Sequence, residues 1–310
     1  MEEVRMSDME IIFLGTSAGT PTKKRNVSSI LIRRKSDYLL FDVGEATQRQ
    51  LIKTGIGLRR KIKIFISHMH GDHVVGLLSL LQSYSLLKRE DPLEIYGPNG
   101  ISEFIMRNIS MLKFTPTYPI LIQVLKEGVI MEAKEYIIRA TKADHSVETY
   151  AFSIEEKMRP GKFDPIKARK LGIPVAYWKD LQMGRKVVIN NIEIDPSLVV
   201  SPPRRGRKVV ISSDTRPSDR IIEFARNADI LIHDSTYGEE HADKAIKNYH
   251  STAKQAAEVA KKAGVRLLIL THFSARYEDT KKLVEEAREI FPFVMAAEDF
   301  LRIDVPYPES

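Results

Sequence analysis

The sequence predicts an α/β layered fold, and three observations carry that reading. Short apolar runs alternate with amphipathic stretches in both halves of the chain. The apolar fraction of 43% over 310 residues is that of a globular protein with a sizeable core. A histidine-rich run follows directly on one of the apolar runs. Elements that alternate in this way pack as sheets covered by helices, and this length fits one compact unit, residues 1–310.

The elements follow in order. Residues 10–14 form an apolar run that ends in Gly15-Thr16-Ser17-Ala18-Gly19-Thr20-Pro21, a strand entering a turn. Residues 29–33 and 38–41 read as strands around a polar turn, and residues 45–53 as a short helix. Residues 62–67 make a buried strand. Residues 74–87, rich in leucine, read as one helix, followed by a strand at 93–96 that stops at Gly97-Pro98, and a helix at 102–112. Further strands are expected at 120–124, 136–141 and 150–155. The second half repeats the alternation, with strands at 208–212, 230–233 and 266–270 and helices at 220–226, 251–263 and 280–290.

Composition narrows the chemistry. The chain has no cysteine, which excludes disulfides, thiolate metal sites and cysteine nucleophiles. Any metal site is built from His, Asp and Glu. The net charge of +7 favours polyanionic partners. No apolar run approaches the ~18 residues of a membrane span, and residues 1–10 are polar without a leader-like apolar core. A cytoplasmic protein with no membrane partner is expected.

One stretch stands apart. Residues 157–186 hold nine Lys or Arg against two acidic residues, punctuated by Pro160, Gly161, Pro165, Gly172, Pro174 and Gly184. It contains Phe163, Tyr177 and Trp178. It reads as a basic insertion protruding from the core, bounded at 155–190, in which Phe163, Leu171 and Trp178 pack inward and the cations face out. A second basic run, Arg204, Arg205, Arg207 and Lys208, reads as either a solvated turn or a second polyanion contact.

The sharpest signal is His68-Met69-His70-Gly71-Asp72-His73. Three imidazoles and a carboxylate fall within six residues after a buried strand. In extended backbone His68 and His70 point to one side, and Gly71 permits the turn that follows. Eight histidines in the whole chain make chance clustering a poor account of this run, and imidazole with carboxylate is a zinc donor set. His145, Asp214 and His272 each sit just beyond an expected strand. In an α/β sheet such positions converge at one edge, and that shared placement marks them as further ligands. Taken singly, Asp214 reads first as a helix N-cap, and His145 and His272 as loop histidines. His233 and His241 are assigned no chemistry, and His233 is expected to be a satisfied core histidine.

This pattern resembles the metallo-β-lactamase superfamily, and several runs bring the chain closest to the short form of the ribonuclease Z family. They are Phe13-Leu14-Gly15-Thr16-Ser17-Ala18-Gly19-Thr20-Pro21, Phe41-Asp42-Val43-Gly44-Glu45-Ala46-Thr47-Gln48-Arg49-Gln50, Ile95-Tyr96-Gly97-Pro98, Ser213-Asp214-Thr215-Arg216-Pro217 and Thr271-His272-Phe273-Ser274-Ala275-Arg276-Tyr277. The resemblance implies an αββα sandwich and two zinc ions per subunit. His68, His70 and His145 would hold one ion, and Asp72, His73 and His272 the other, with Asp214 between them. Asp72 would also orient or deprotonate the attacking water, and His250, in His250-Ser251-Thr252, would donate a proton. The implied reaction is removal of the 3′ trailer from precursor tRNA near the discriminator base, by a homodimer. In the family an arm after the third metal histidine clamps tRNA. Lys157, Arg159, Lys162, Lys167, Arg169 and Lys170 would then contact phosphates, as would Arg276.

Two positions depart from the family pattern. Ala176-Tyr177 stand where many members carry Gly-Pro, and Ser213 stands where Gly usually precedes the bridging Asp. The alternative on the same scaffold is a hydrolase of a small phosphodiester or (thio)ester, which would share every ligand and have no use for the basic arm.

Overall fold

The computed structural model describes residues 8–308. The polar N-terminal stretch lies outside the described residues as far as residue 7, and Met9 and Glu10 already belong to a strand. Two seven-stranded sheets make the frame. The first runs Arg302–Asp304, Met9–Gly15, Ser29–Arg34, Asp37–Phe41, Ile62–Phe65, Leu93–Gly97, Ile120–Val124. The second runs Val294–Ala296, Leu267–Thr271, Ile230–Asp234, Lys208–Ile211, Tyr150–Glu156, Tyr136–Lys142, Gly128–Glu132. In each sheet antiparallel pairs on one side give way to parallel pairs on the other.

The two-residue side-chain period explains the layers. Along Ile230–Asp234, Ile230 and Ile232 enter the core between the sheets, while Leu231 enters the core beneath helices. A strand buried on both faces reads as a continuous apolar run, as this one does. Between the sheets Phe41 stacks on Phe65 at 4.9 Å and Phe65 on Tyr96 at 4.8 Å, a ladder across three neighbouring strands. Helices Thr47–Lys53, Gly76–Leu86 and Ile101–Leu112 cover the first sheet through Leu51, Leu77, Leu80, Leu81, Ile101 and Ile105. Helices Asp219–Phe224, Ala253–Ala263 and Lys281–Arg288 cover the second through Ile221, Ala256, Ala260 and Leu283. The result is the αββα sandwich that the resemblance implies.

Several expectations change. The single helix expected over 74–87 is two, Gly71–Val74 and Gly76–Leu86. The chain jogs because Gly76 lies against the Gly44 carbonyl, where an added Cβ would stand 1.9 Å from the oxygen, and Gly76 N–H donates to Val43 O. Strands Gly128–Glu132, Val294–Ala296 and Arg302–Asp304 went unread. They are short and lie at or near sheet edges, so their weak pattern is completed by pairing with a neighbour.

The basic excursion runs on past residue 190. The hairpin Val187–Ile189 with Ile192–Ile194 turns at Asn190 and Asn191, so the expected boundary cuts through it. Ala168, Ile173, Leu181, Val187 and Val199 form its own apolar cluster, with Phe163, Tyr177 and Trp178 packed against them, whereas Leu171, expected to pack, is exposed. Backbone pairing of Arg159 with Arg204 and of Phe163 with Val200 closes its neck.

The second basic run is not one surface patch: Arg205 is exposed, Arg204 and Lys208 are half-buried, and Arg207 is buried. Arg207 is 1% exposed. Its Nε and Nη2 bond both oxygens of Glu156, each at 2.8 Å, and Nη1 reaches Asp8 at 2.6 Å. Arg34 Nε also bonds Glu156 at 2.8 Å, and Arg205 pairs with Asp229. Burial would raise the Glu156 pKa, but the arginines hold it below its ordinary value. The unfolded chain therefore takes up a proton in acid that the folded chain refuses, and this contribution to stability is full above about pH 4.3 and lost as pH falls further. Glu156→Gln, which leaves two guanidiniums facing a neutral amide, is expected to cost about 3–5 kcal/mol at pH 7 and to flatten the acid limb of stability. Urea unfolding across a pH series measures both.

Candidate metal centre

The functional side chains gather at one edge of the sandwich for a topological reason. Strands Tyr136–Lys142, Lys208–Ile211, Ile230–Asp234 and Leu267–Thr271 all run in the same direction in the second sheet. Their C-terminal ends deliver His145, Asp214, Asp234 and His272. In the first sheet the parallel pair Asp37–Phe41 and Ile62–Phe65 delivers Asp42 and the run from Ser67 to His73.

All of the expected ligands meet there. Oδ2 of Asp214 lies 3.7 Å from His68 Nε2, 3.4 Å from His73 Nε2, 3.9 Å from His145 Nε2 and 3.4 Å from His272 Nε2. His70 Nδ1 lies 3.0 Å from His68 Nε2 and 3.2 Å from His145 Nε2. On the other side Asp72 Oδ2 lies 3.5 Å from His73 Nε2 and 3.4 Å from His272 Nε2. Among the described residues three overlapping donor groups result: His68 with His70, His145 and Asp214; Asp72 with His73 and His272; and Asp214 with Asp234, His250 and His272. A tetrahedral ion with bonds of about 2.0–2.1 Å has donor-to-donor edges of about 3.3–3.4 Å, and the spacings here bracket that value.

Hydrogen bonding fixes the ligand tautomers. Ser67 Oγ donates to Asp42 Oδ2, so its lone pair receives His68 Nδ1–H at 2.9 Å. His73 Nδ1–H donates to Asp42 Oδ2 at 2.8 Å. His145 Nδ1–H donates to the Tyr249 carbonyl at 2.9 Å. Thr236 Oγ1 donates to Asp234 Oδ1, and His272 Nδ1–H donates to Thr236 Oγ1 at 3.0 Å. With each ring neutral, Nε2 is left with its lone pair toward Asp214, the state in which imidazole binds a metal. His73, between the Asp214 and Asp42 carboxylates, has its pKa held well above the ordinary value despite burial and gives up a proton to reach that state. Burial holds His68, His70 and His145 below their ordinary pKa, which keeps them neutral. The donor chemistry, the spacing and the tautomers all fit a pair of metal ions.

Beside this cluster His250 Nδ1 bonds Asp234 Oδ2 at 2.8 Å, and its ring stacks on His272 at 5.2 Å. Burial disfavours a charge on His250, yet the Asp234 carboxylate brings its pKa up to about 9. The helix Ala253–Ala263 sets this turn in place. Thr252 caps it reciprocally with Gln255, and Ser251 Oγ donates to Thr215 O.

Asp42 and Asp234 were missed by sequence reasoning. Each lies at the end of an apolar strand on the ligand edge, the same signal that marked Asp214. Arg216 was also missed as a strut. It bonds both carboxylate oxygens of Asp144, at 3.0 and 3.1 Å, and lies 4.2 Å over the Tyr249 ring, tying together the loops that carry His145, Asp214 and His250. Gly19 N–H donates to Asp72 Oδ2 at 2.7 Å, which brings the loop at 16–26 to the centre. Farther along it, Lys23, Lys24 and Arg25 line a 370 Å³ hollow with Ala275 and Tyr277.

The expected RNA contacts divide. Lys162, Lys167, Arg169 and Lys170 are exposed on the arm, and Arg276 is exposed four residues beyond His272, its guanidinium 5.2 Å over Tyr237. Lys157 is exposed but paired with Glu132. Arg159 is instead partly buried against Tyr307. His233 is buried, as expected of a core histidine. It is only half satisfied, since Nδ1 bonds Asp234 O while Nε2 has no partner. His241 is half-buried, with Nδ1 on Glu240 O.

Asp42, Ser213, Tyr249 and His272 all adopt left-handed backbone, with φ between 56° and 60°. Such strain collects where tight loops aim side chains. It explains why glycine suits the position of Ser213, and Ser213 Oγ recovers part of the cost by donating to Tyr150 O at 2.8 Å. Ser213→Gly relieves about 1 kcal/mol of strain and loses a bond worth about 1 kcal/mol, so stability is expected to stay within about 1 kcal/mol of the parent. Ser213→Val, with neither the bond nor the conformational freedom, is expected to lose more than about 2 kcal/mol. Urea unfolding decides.

Comparison with known proteins agrees with this geometry. Residues 9–111 match the family described as anti-Pycsar protein Apyc1, and residues 195–273 match the beta-lactamase superfamily domain. The chain is 46% identical over 298 residues to ribonuclease Z of Nitrosopumilus maritimus, covering 96% of this chain and 100% of that one. It is 42% identical over 305 residues to ribonuclease Z of Bacillus subtilis, covering 96% and 99%. Among solved structures, human tRNase Z, short form, superposes with a TM-score of 0.72 at 28% identity, over 96% of this chain and 99% of that one. The metallo-beta-lactamase fold protein YhfI from Bacillus subtilis superposes at 0.67 and 20% identity, over 95% and 98%, a likeness of fold alone. With its ligand edge built on that fold and near-full-length identity to these relatives, the chain belongs to the ribonuclease Z family.

Proposed function

We propose that the Asp214-centred cluster is the catalytic centre of a zinc-dependent endoribonuclease that removes the 3′ trailer from precursor tRNA near the discriminator base. The observation that carries this reading is the convergence of four imidazole Nε2 atoms on one carboxylate oxygen with the His250–Asp234 pair beside them. His68, His70, His145 and Asp214 would hold one ion, and Asp72, His73, His272 and Asp214 the other. When bound, two such ions supply Lewis-acid stabilisation of the phosphoryl oxygens and make water a nucleophile at neutral pH.

The chain's own residues do the rest. Asp72, fixed by Gly19 N–H, orients the attacking water and accepts its proton. Attack in line with the scissile bond expels the 3′ oxygen of the upstream nucleotide. His250, held by Asp234 through Nδ1, presents Nε2 and protonates that oxygen, a step worth about 10²–10⁴-fold. The products are a 3′-hydroxyl on the tRNA and a 5′-phosphate on the trailer. Exposed cations of the arm, Lys162, Lys167, Arg169 and Lys170, together with Arg276, bind phosphates along the substrate. Residues 159–204, closed at the Arg159–Arg204 pairing, act as the substrate-binding arm of a single hydrolase domain.

A homodimer in the cytoplasm completes the reading. Leu86, Met106, Met111 and Leu112, on helices Gly76–Leu86 and Ile101–Leu112, are exposed apolar side chains available to a second subunit. Among the described residues no helix is long and apolar enough to cross a membrane.

Precursor tRNA with a 3′ trailer tests the assignment. A single chelator-sensitive cut near the discriminator base is expected. It should be abolished in His70→Ala and slowed about 10²-fold or more in His250→Ala, with Asp234→Asn between the parent and His250→Ala. Intact tRNA alongside metal-dependent hydrolysis of small esters or diesters would refute the substrate and leave the metal centre standing. Metal analysis after zinc loading and dialysis is expected to give two ions per chain in the parent, falling by at least one in His70→Ala.

A further inference from the structure

Tyr307 sits between two arginines. The guanidinium of Arg159 lies 3.4 Å from its ring centroid and that of Arg207 lies 3.9 Å from it. Two cations cannot share one ring face at such distances, so the ring is sandwiched between them. The Tyr307 hydroxyl donates to Asp8 Oδ2 at 3.0 Å and accepts from Arg207 Nη2 at 3.1 Å.

The two arginines belong to different parts of the molecule. Arg207 is fixed in the frame by Glu156, Asp8 and the Val305 carbonyl. Arg159 belongs to the neck of the arm, where its N–H and C=O pair with Arg204 at 2.8 and 3.0 Å. Its Nε is buried with no hydrogen-bond partner, so the Tyr307 ring is what receives the guanidinium. Beyond the neck the arm packs around a cluster drawn from its own residues.

We infer that Tyr307 is a positioning residue for the RNA substrate, locking the neck of the arm to the frame and so setting the arm's angle to the metal centre. The inference rests on reading the chain as a precursor-tRNA nuclease that grips substrate with its arm. The aromatic ring joins two like charges that would otherwise repel, because each meets a negative π face. Without the ring, Arg159 and Arg207 face each other directly, and the neck is driven apart. A substrate held at both the arm and the centre feels that change. A small diester, which touches the centre alone, does not.

The test compares the zinc-loaded parent, Tyr307→Ala and Tyr307→Phe on precursor tRNA and on bis(p-nitrophenyl) phosphate. Tyr307→Ala is expected to raise KM for precursor tRNA about tenfold with kcat within about twofold, the loss of one desolvated stack. Diester hydrolysis should be unchanged, and trypsin should clip the arm faster. Tyr307→Phe keeps the stack and should stay near the parent on every measure. An unchanged KM in Tyr307→Ala overturns the inference. So does a parallel loss on the diester, or a Phe variant as poor as the Ala variant. If Tyr307→Ala does not fold, Arg159→Leu takes its place, with faster trypsin cleavage of the arm as the expected result and an unchanged rate as the refuting one. A parent that leaves precursor tRNA uncut refutes the functional reading itself, whereas a cutting parent with an unaffected Tyr307→Ala refutes only the role of Tyr307.

Discussion

The centre depends on two buried carboxylates that need not touch a metal. Asp42 receives Ser67 and His73, and Asp234 receives Thr236 and His250. Through these bonds three of the four Nε2 atoms around Asp214 have their lone pairs aimed inward, and the Tyr249 carbonyl does the same for the fourth. An imidazole left to choose its tautomer can place a proton on the nitrogen where a metal bond belongs. Fixing the far nitrogen removes that choice and raises the basicity of the near one. Gathering so many imidazole rings at one carboxylate is otherwise unfavourable, because each buried nitrogen needs a partner.

The rest of the fold serves those bonds. Parallel strands place their C-terminal ends side by side, and each end turns sharply to aim one polar side chain. The left-handed residues at Asp42, Ser213, Tyr249 and His272 are the local expense of those turns. The stacked core of Phe41, Phe65, Tyr96 and Phe152 lies between the sheets that carry them. A rigid aromatic core transmits little slack to the loops it supports.

Charge is used in two distinct ways. At the frame, Arg34 and Arg207 are buried around Glu156, where they hold strands and both terminal regions together. On the arm, lysines and arginines face solvent around an apolar cluster, where a polyanion can reach them. Arg159 belongs to the first use and not the second, although it lies within the same basic stretch.

Much of this was legible from residue order. The alternation of apolar runs gave the layers, because a strand buried on both faces must be apolar throughout. The spacing of His68, His70, Asp72 and His73 gave a metal-binding run, because local backbone geometry alone points them together. Placement just beyond an apolar strand marked His145, Asp214 and His272, because strands of one direction end at one edge of the sheet. What residue order left open was every pairing between distant segments. Asp42 and Asp234 looked like ordinary strand ends until the fold put them behind the ligands. Arg207 looked like surface charge until Asp8, Glu156 and Tyr307 closed around it. The arm's far boundary lay hidden because its hairpin is short and joins a core made of residues far apart in sequence. Local chemistry is written in neighbouring residues, but which buried charge meets which partner is fixed only when the sheets stack and exclude water.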